Sequence, residues 1–156
     1  MQKGFTLIET LIYLALFSII IGGVLVSAYQ IIQASTQSQE NALVQEEGHF
    51  LVAKINWALT GAQTISVPTA GTSSPTDLNV TKFDSSNPVF LVNADQLLLN
   101  GAILNSNSVK IENVNFTHTD ISPTDDLPAE LQADFRVTSK LTGQFQDFST
   151  TKYLRK

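Results

Sequence analysis

The chain has 156 residues, enough for one soluble domain beyond a membrane-length segment. Its formal charge of −5 argues against nonspecific nucleic-acid binding, and the lack of cysteine excludes a disulfide framework and a thiol nucleophile. The slightly positive mean hydropathy, +0.09, comes from the N-terminal run, and the remainder reads as an ordinary polar globular domain.

The first element is a short basic leader, Met1-Gln2-Lys3-Gly4, followed by Phe5-Thr6-Leu7-Ile8-Glu9. From Leu11 to Ile32 no residue is charged, and Ser18, Ser27 and Gln30 are the polar breaks. Crossing a bilayer core takes about 20 apolar residues, which this run supplies. Lys3 lies on the short N-terminal side and the next basic residue is Lys54, so the positive-inside bias places the N-terminus in the cytoplasm. The rest of the chain then lies outside the cytoplasmic membrane. Glu9 is the anomaly, because a carboxylate inside hydrocarbon is costly and is by default paired and functional. A solvated acid at the headgroup level is the plainer alternative.

The glycine, the aromatic after it, the acid five positions on and the apolar helix together resemble the class III signal of type IV prepilins and of type II secretion pseudopilins. The resemblance covers Gly4 to about Leu25. It implies that a membrane prepilin peptidase cuts between Gly4 and Phe5 and methylates the new amine, making Phe5 N-methylphenylalanine. It also implies that Glu9 partners the Phe5 amine of a neighbouring subunit, so that the pair fixes register during assembly. An ordinary secretory signal fits less well, since Glu9 sits where its apolar core should begin and the run is too long. Val26-Ser27-Ala28 is its weak cut site.

Residues 33 to 43 are polar almost all round and contain no proline, so the helix should continue through them. A stripe then appears at Val44, Gly48, Leu51, Ile55, Ala58, Leu59 and Ala62, with the spacing of a helix that buries one face. Residues 5 to about 62 predict a helix of about 87 Å, ended by Gly61 and Pro68. Trp57 and Phe50 are expected to pack between helix and sheet. Pilins often carry a proline in the membrane half. Here Gly22-Gly23 is the nearest helix-weakening feature. The segment His49 to Pro68 is similar to the helix end of minor pseudopilins.

Residues 69 to 77 read as a loop, and strand patterns follow. Leu78 to Phe83, Pro88 to Val92 and Gln96 to Leu99 are short apolar runs broken by Asn, Asp and Gly. In Val109 to Thr119 the apolar phase slips at Glu112-Asn113, which predicts a bulge. Leu131 to Leu141 alternates cleanly as a half-buried strand, and Phe145 to Leu154 reads as a further strand. Short strands with short connections predict an antiparallel sheet. The fold class is therefore α+β and pilin-like, with a long N-terminal α-helix packed on a C-terminal antiparallel β-sheet.

Enzyme chemistry finds little support. There is no glycine-rich phosphate loop, and His49 and His118 lack metal-ligand spacing. His49 is expected exposed beside Glu46, and His118 on a strand face. Asp120, Asp125 and Asp126 form an oxygen-rich loop of the type that holds calcium in some major pseudopilins, but without EF-hand spacing. They are read as solvated, and no cofactor, metal or catalytic residue is expected.

The sequence thus divides into a leader at 1–4, a membrane and filament-core segment at 5–32, an outer amphipathic helix at 33–63 and a β-sheet domain at 64–156. The resemblance implies a structural subunit, whether pilin, minor pilin or pseudopilin, of a type IV pilus or type II secretion-like filament. Its partners would be other pilins or pseudopilins, the prepilin peptidase and methyltransferase, a membrane assembly platform and the membrane, with no nucleic acid. The alternative is a membrane-anchored adhesin or binding module that uses the prepilin pathway.

Overall fold

The computed structural model describes residues 6–119 and 129–154. One helix, α1, runs over Leu7–Leu59. Thr6 begins it as an N-cap, its Oγ1 accepting a hydrogen bond from the Glu9 amide at 3.4 Å. The chain forms two compact units that divide between Gln39 and Glu40.

In the first unit α1 is exposed on every side from Thr10 to Gln39, and the helix is unbroken through Gly22 and Gly23. Its hydroxyls are turned back on the helix. Ser18 donates to the Leu14 carbonyl at 2.8 Å, Ser27 to Gly23 at 2.9 Å and Thr36 to Ile32 at 3.1 Å. Such back-bonding satisfies polar groups without calling on solvent.

In the second unit α1 buries the predicted stripe: Val44, Gly48, Leu51, Ile55, Ala58 and Leu59. The helix stops three residues earlier than the pattern suggested. Gly61 takes a left-handed φ of +76° and turns the chain, the usual role of glycine just past a helix end. Ala62 is buried, but in a strand, so its burial satisfied the helical spacing by coincidence. Pro68 therefore plays no part in ending α1.

Nine strands follow among the described residues: β1 (Ala62–Val67), β2 (Thr72–Ser74), β3 (Asp77–Lys82), β4 (Val89–Asn93), β5 (Gln96–Leu99), β6 (Ala102–Ile103), β7 (Val109–Thr119), β8 (Glu130–Ser139) and β9 (Phe145–Tyr153). They form two antiparallel sheets rather than the single one expected, ordered β1-β3-β4-β5-β6 and β2-β7-β8-β9. The predicted bulge is present. The β7–β8 register shifts between Glu112 and Asn115, and Asn113 takes a φ of +53°, a conformation asparagine tolerates.

Leu51 and Ile55 of α1 join Leu78, Phe90 and Leu97 of the first sheet with Ile111, Phe116 and Leu131 of the second in one core. Asn105 ties the two sheets together from inside. Its Oδ1 accepts the Leu97 amide at 3.0 Å, and its Nδ2 donates to the Asp95 and Val109 carbonyls at 3.3 Å each. Gly48 lets the β9 ring of Phe148 lie directly against the helix, where any Cβ would overlap it. That ring stacks on Phe135 at 5.6 Å and meets His49 edge-on at 5.7 Å.

Trp57 and Phe50 do not fill the helix–sheet interface. They are 54% and 41% exposed, because seven-residue spacing keeps both on the flank of the buried stripe. Lys82 lies 4.3 Å above the Trp57 ring and donates to the Trp57 carbonyl at 3.2 Å. It thereby supplies the positive charge that the last turn of α1 lacks.

Candidate functional site

The residues that drew functional interest lie at the start of α1. Thr6-Leu7-Ile8-Glu9 has the Thr-x-x-Glu form of a capping box, with Glu9 at the third helical position. Its carboxylate is thus favoured by the positive end of the helix dipole. One turn on, the Tyr13 hydroxyl donates to Glu9 Oε1 at 3.3 Å. Thr10 returns its hydroxyl to the Leu7 carbonyl at 2.8 Å. Glu9 is half-buried while the side chains on either side of it are exposed.

At the entrance to an apolar helix, Thr6 and Thr10 thus serve the backbone of the first turns and Tyr13 serves the one carboxylate. Around it, Leu11, Ile12, Leu14, Leu16 and Phe17 are all exposed. Among the described residues, α1 is the one helix long and apolar enough to cross a membrane, and none of its most apolar stretch is buried within the protein. Gly4 and Phe5, the expected cleavage and methylation positions, lie outside the described residues.

Residues 1–25 match the family model of the prokaryotic N-terminal methylation motif. This motif is the class III signal peptide of type IV pilins and pseudopilins, and with the long apolar helix it supports a membrane-anchored substrate of the prepilin pathway. Comparison with curated proteins and with solved structures found no match. The methylation motif therefore identifies the N-terminal helix, while the α+β architecture beyond it is pilin-like on its own structural terms.

Sequence reasoning passed over Thr6 and Tyr13. Both were legible, Thr6 as the cap three residues before Glu9 and Tyr13 as its neighbour four residues on, where helical side chains meet.

Elsewhere the candidate residues are occupied structurally. His118 is buried, its Nδ1 3.0 Å from the Pro68 carbonyl oxygen, and His49 is exposed against Phe148. No group of three or more metal-ligating side chains occurs among the described residues. Asp120, Asp125 and Asp126 lie outside them.

The outer face of the second sheet carries two ion pairs. Lys110 meets Glu112 at 2.8 Å, and Arg136 grips Asp147 with Nε and Nη2 at 2.6 and 2.9 Å. The Lys110 ammonium, aided by a hydrogen bond from Thr138, holds the Glu112 carboxyl below its ordinary range. Arg136 lowers Asp147 in the same way.

Proposed function

We propose that this chain is a structural subunit of a type IV pilus or type II secretion-like filament. The observation that carries the reading is a methylation motif that runs without a break into an exposed apolar helix whose early turns hold one acid, Glu9. In this reading the leader 1–4 is removed between Gly4 and Phe5, and Phe5 is methylated. Residues 5–32 then span the membrane once, N-terminus in the cytoplasm, before entering the filament core.

The helix can change surroundings because its surface is apolar and its serine hydroxyls are already bonded to its own carbonyls. Neighbouring helices can replace lipid against that surface with little change in solvation. Glu9 is the exception, since burial of an unpaired charge is strongly destabilising while a paired charge is tolerated. The Phe5 amine of a neighbouring subunit is the partner of matching charge. Tyr13 holds the carboxylate at the helix start meanwhile, and Thr6 caps the Glu9 amide.

The test is processing. Gly4→Val should leave the uncut precursor in the membrane, and sequencing of the wild-type mature chain should begin at methylated Phe5. A mature chain that begins at Tyr29 would mean an ordinary secretory signal and would end the filament reading.

A further inference from the structure

Where α1 gives way to β1, the second unit holds a cavity that the methylation motif does not explain. Its volume is about 450 Å³, within the range of sites that take small ligands. Leu59, which ends α1, and Leu154, just past β9, line it and pack with the core. Phe83, just past β3, and Tyr153, which ends β9, line it too, so each sheet contributes one aromatic residue. These two side chains are 67% and 63% exposed.

Large rings left in water contribute little to a domain's own stability. Their backbones are nevertheless fixed. The Phe83 amide donates to the Gly61 carbonyl at 3.0 Å, Tyr153 pairs with Glu130 of β8, and the Leu154 amide donates to the Ala129 carbonyl at 2.8 Å. Platforms held in this way spare a ligand the cost of ordering them. Lys152 lines the same cavity and makes no hydrogen bond or ion pair among the described residues. The nearby Lys82, in contrast, is engaged with the Trp57 ring and carbonyl. Thr60 adds a hydroxyl that donates to the Asn56 carbonyl at 2.7 Å and so is left as an acceptor.

Two fixed rings, one free ammonium and a hydroxyl acceptor over an apolar floor define a chemistry. The matching ligand has C–H faces, hydroxyl groups and an isolated negative charge. A sugar ring has such faces, because its C–H bonds carry partial positive charge and meet the negative face of an aromatic ring. A carboxylate on the same sugar accepts a charge-assisted hydrogen bond from a lysine. We propose that this cavity binds a carboxylated glycan, with a sugar ring against Phe83 and Tyr153 and its carboxylate on Lys152. Single-stranded nucleic acid also stacks on aromatic residues, but it needs a positive groove along its whole backbone. Here Glu130 is the strand partner of Tyr153, Asp84 follows Phe83, and the chain carries a charge of −5. A charge on every unit is repelled where a single one is received. The site goes beyond the filament reading and would serve a filament subunit and an anchored adhesin equally.

The test is an array of oligosaccharides bearing uronic or sialic acid, set beside their carboxyl-reduced counterparts and probed with the full-length chain in detergent. The expected result is retention on carboxylated members and loss of it on their reduced counterparts. Titration of the best-retained glycan then compares variants. Phe83→Ala and Tyr153→Ala should each weaken binding by about tenfold, the order of one lost ring contact. Both side chains are mostly exposed, so their replacement leaves the core intact. Lys152→Gln should lower the carboxylated glycan to the level of its reduced counterpart, while Lys152→Arg keeps the preference. Phe145→Ala removes a comparably exposed ring at the other end of β9, outside the cavity, and should bind as wild type does.

No retention on any carboxylated glycan, or equal retention on the reduced ones, would overturn the proposal. So would unchanged binding in Phe83→Ala and Tyr153→Ala, an equal loss in Phe145→Ala, or tighter binding of oligothymidylate than of any glycan. The processing test reads the N-terminus and the array reads the cavity, so failure of the filament reading and failure of this site are separately visible.

Discussion

Gly48→Ala is the most discriminating perturbation of the domain, because local propensity and packing predict opposite signs. In a helix interior alanine is favoured over glycine by about 1 kcal/mol, so an unpacked position would be stabilised. Here the new methyl group would overlap the Phe148 ring. The ring cannot simply retreat, since Phe135 stacks on one side of it and His49 meets its edge. Forcing a methyl group into such packing typically costs about 1–3 kcal/mol, and a full ring overlap belongs at the upper end. After subtraction of the helical gain, a net loss of about 1–2 kcal/mol remains. Thermal unfolding of a soluble fragment beginning at Gln33 would read this as a fall of about 3–5 °C per kcal/mol, between the values for smaller and larger domains. Phe148→Leu in the same background should return the sign to propensity, making Gly48→Ala neutral or favourable there. A Gly48→Ala variant that gains about 1 kcal/mol in the otherwise wild-type fragment would show that the ring does not lie on the helix, and the reasoning would fail.

Ile55 is fully buried, so Ile55→Asp should destabilise that fragment by roughly 3–5 kcal/mol, as for an unpaired buried charge; an unchanged melting temperature would refute burial of the stripe. Glu9→Val should leave cleavage after Gly4 largely intact yet reduce co-purification with sheared filaments more than a hundredfold, since an unpaired Phe5 amine entering the core costs about 3–5 kcal/mol. Normal incorporation would make Glu9 a solvated headgroup-level residue. Glu112 and Asp147 both have carboxyl groups lowered by their partners, so their contribution is present above the unfolded pKa and lost as pH falls through the lower folded value. The stability difference between wild type and Asp147→Asn should therefore shrink as the solution is acidified below the ordinary carboxylate range. A difference that grows with acid would contradict the assigned direction. Both pairs are partly exposed, so high salt should reduce the effect as well.

The parts of the fold legible in sequence were those with a strong period. Val44 to Leu59 carried the helical spacing of a buried face. β5, β7, β8 and β9 carried alternation or short apolar runs, and the bulge at Asn113 announced itself as a phase slip. What escaped had no period to read. β2 is three polar residues, Thr72–Ser74, and β6 only two, Ala102–Ile103. In β1 two register shifts against β3 blur the alternation of Ala62–Val67. The division into two sheets escaped for another reason: every pairing is antiparallel, and composition does not say which strands are neighbours. At the helix start the acid was conspicuous because a charge in an apolar run has few explanations. Thr6 and Tyr13 were missed because each is unremarkable alone and gains meaning only from its offset to Glu9.

The placement of β9 has a consequence for the order in which the chain can fold. Contacts that hold α1 to the second sheet span nearly the whole domain in sequence: Glu40 to Ser139 is 99 residues, and Asn56 to Thr150 is 94. Until β9 has been synthesised and paired with β8, Gly48 has no ring against it and the stripe from Val44 to Leu59 has an unfinished floor. Folding that waits on such distant pairings is slow relative to local structure. The helix is a local element whose cover comes from the far end of the chain, and with no disulfide to trap a partial fold, the stripe stays open to proteases and to other unfinished chains until Phe145–Tyr153 is in place.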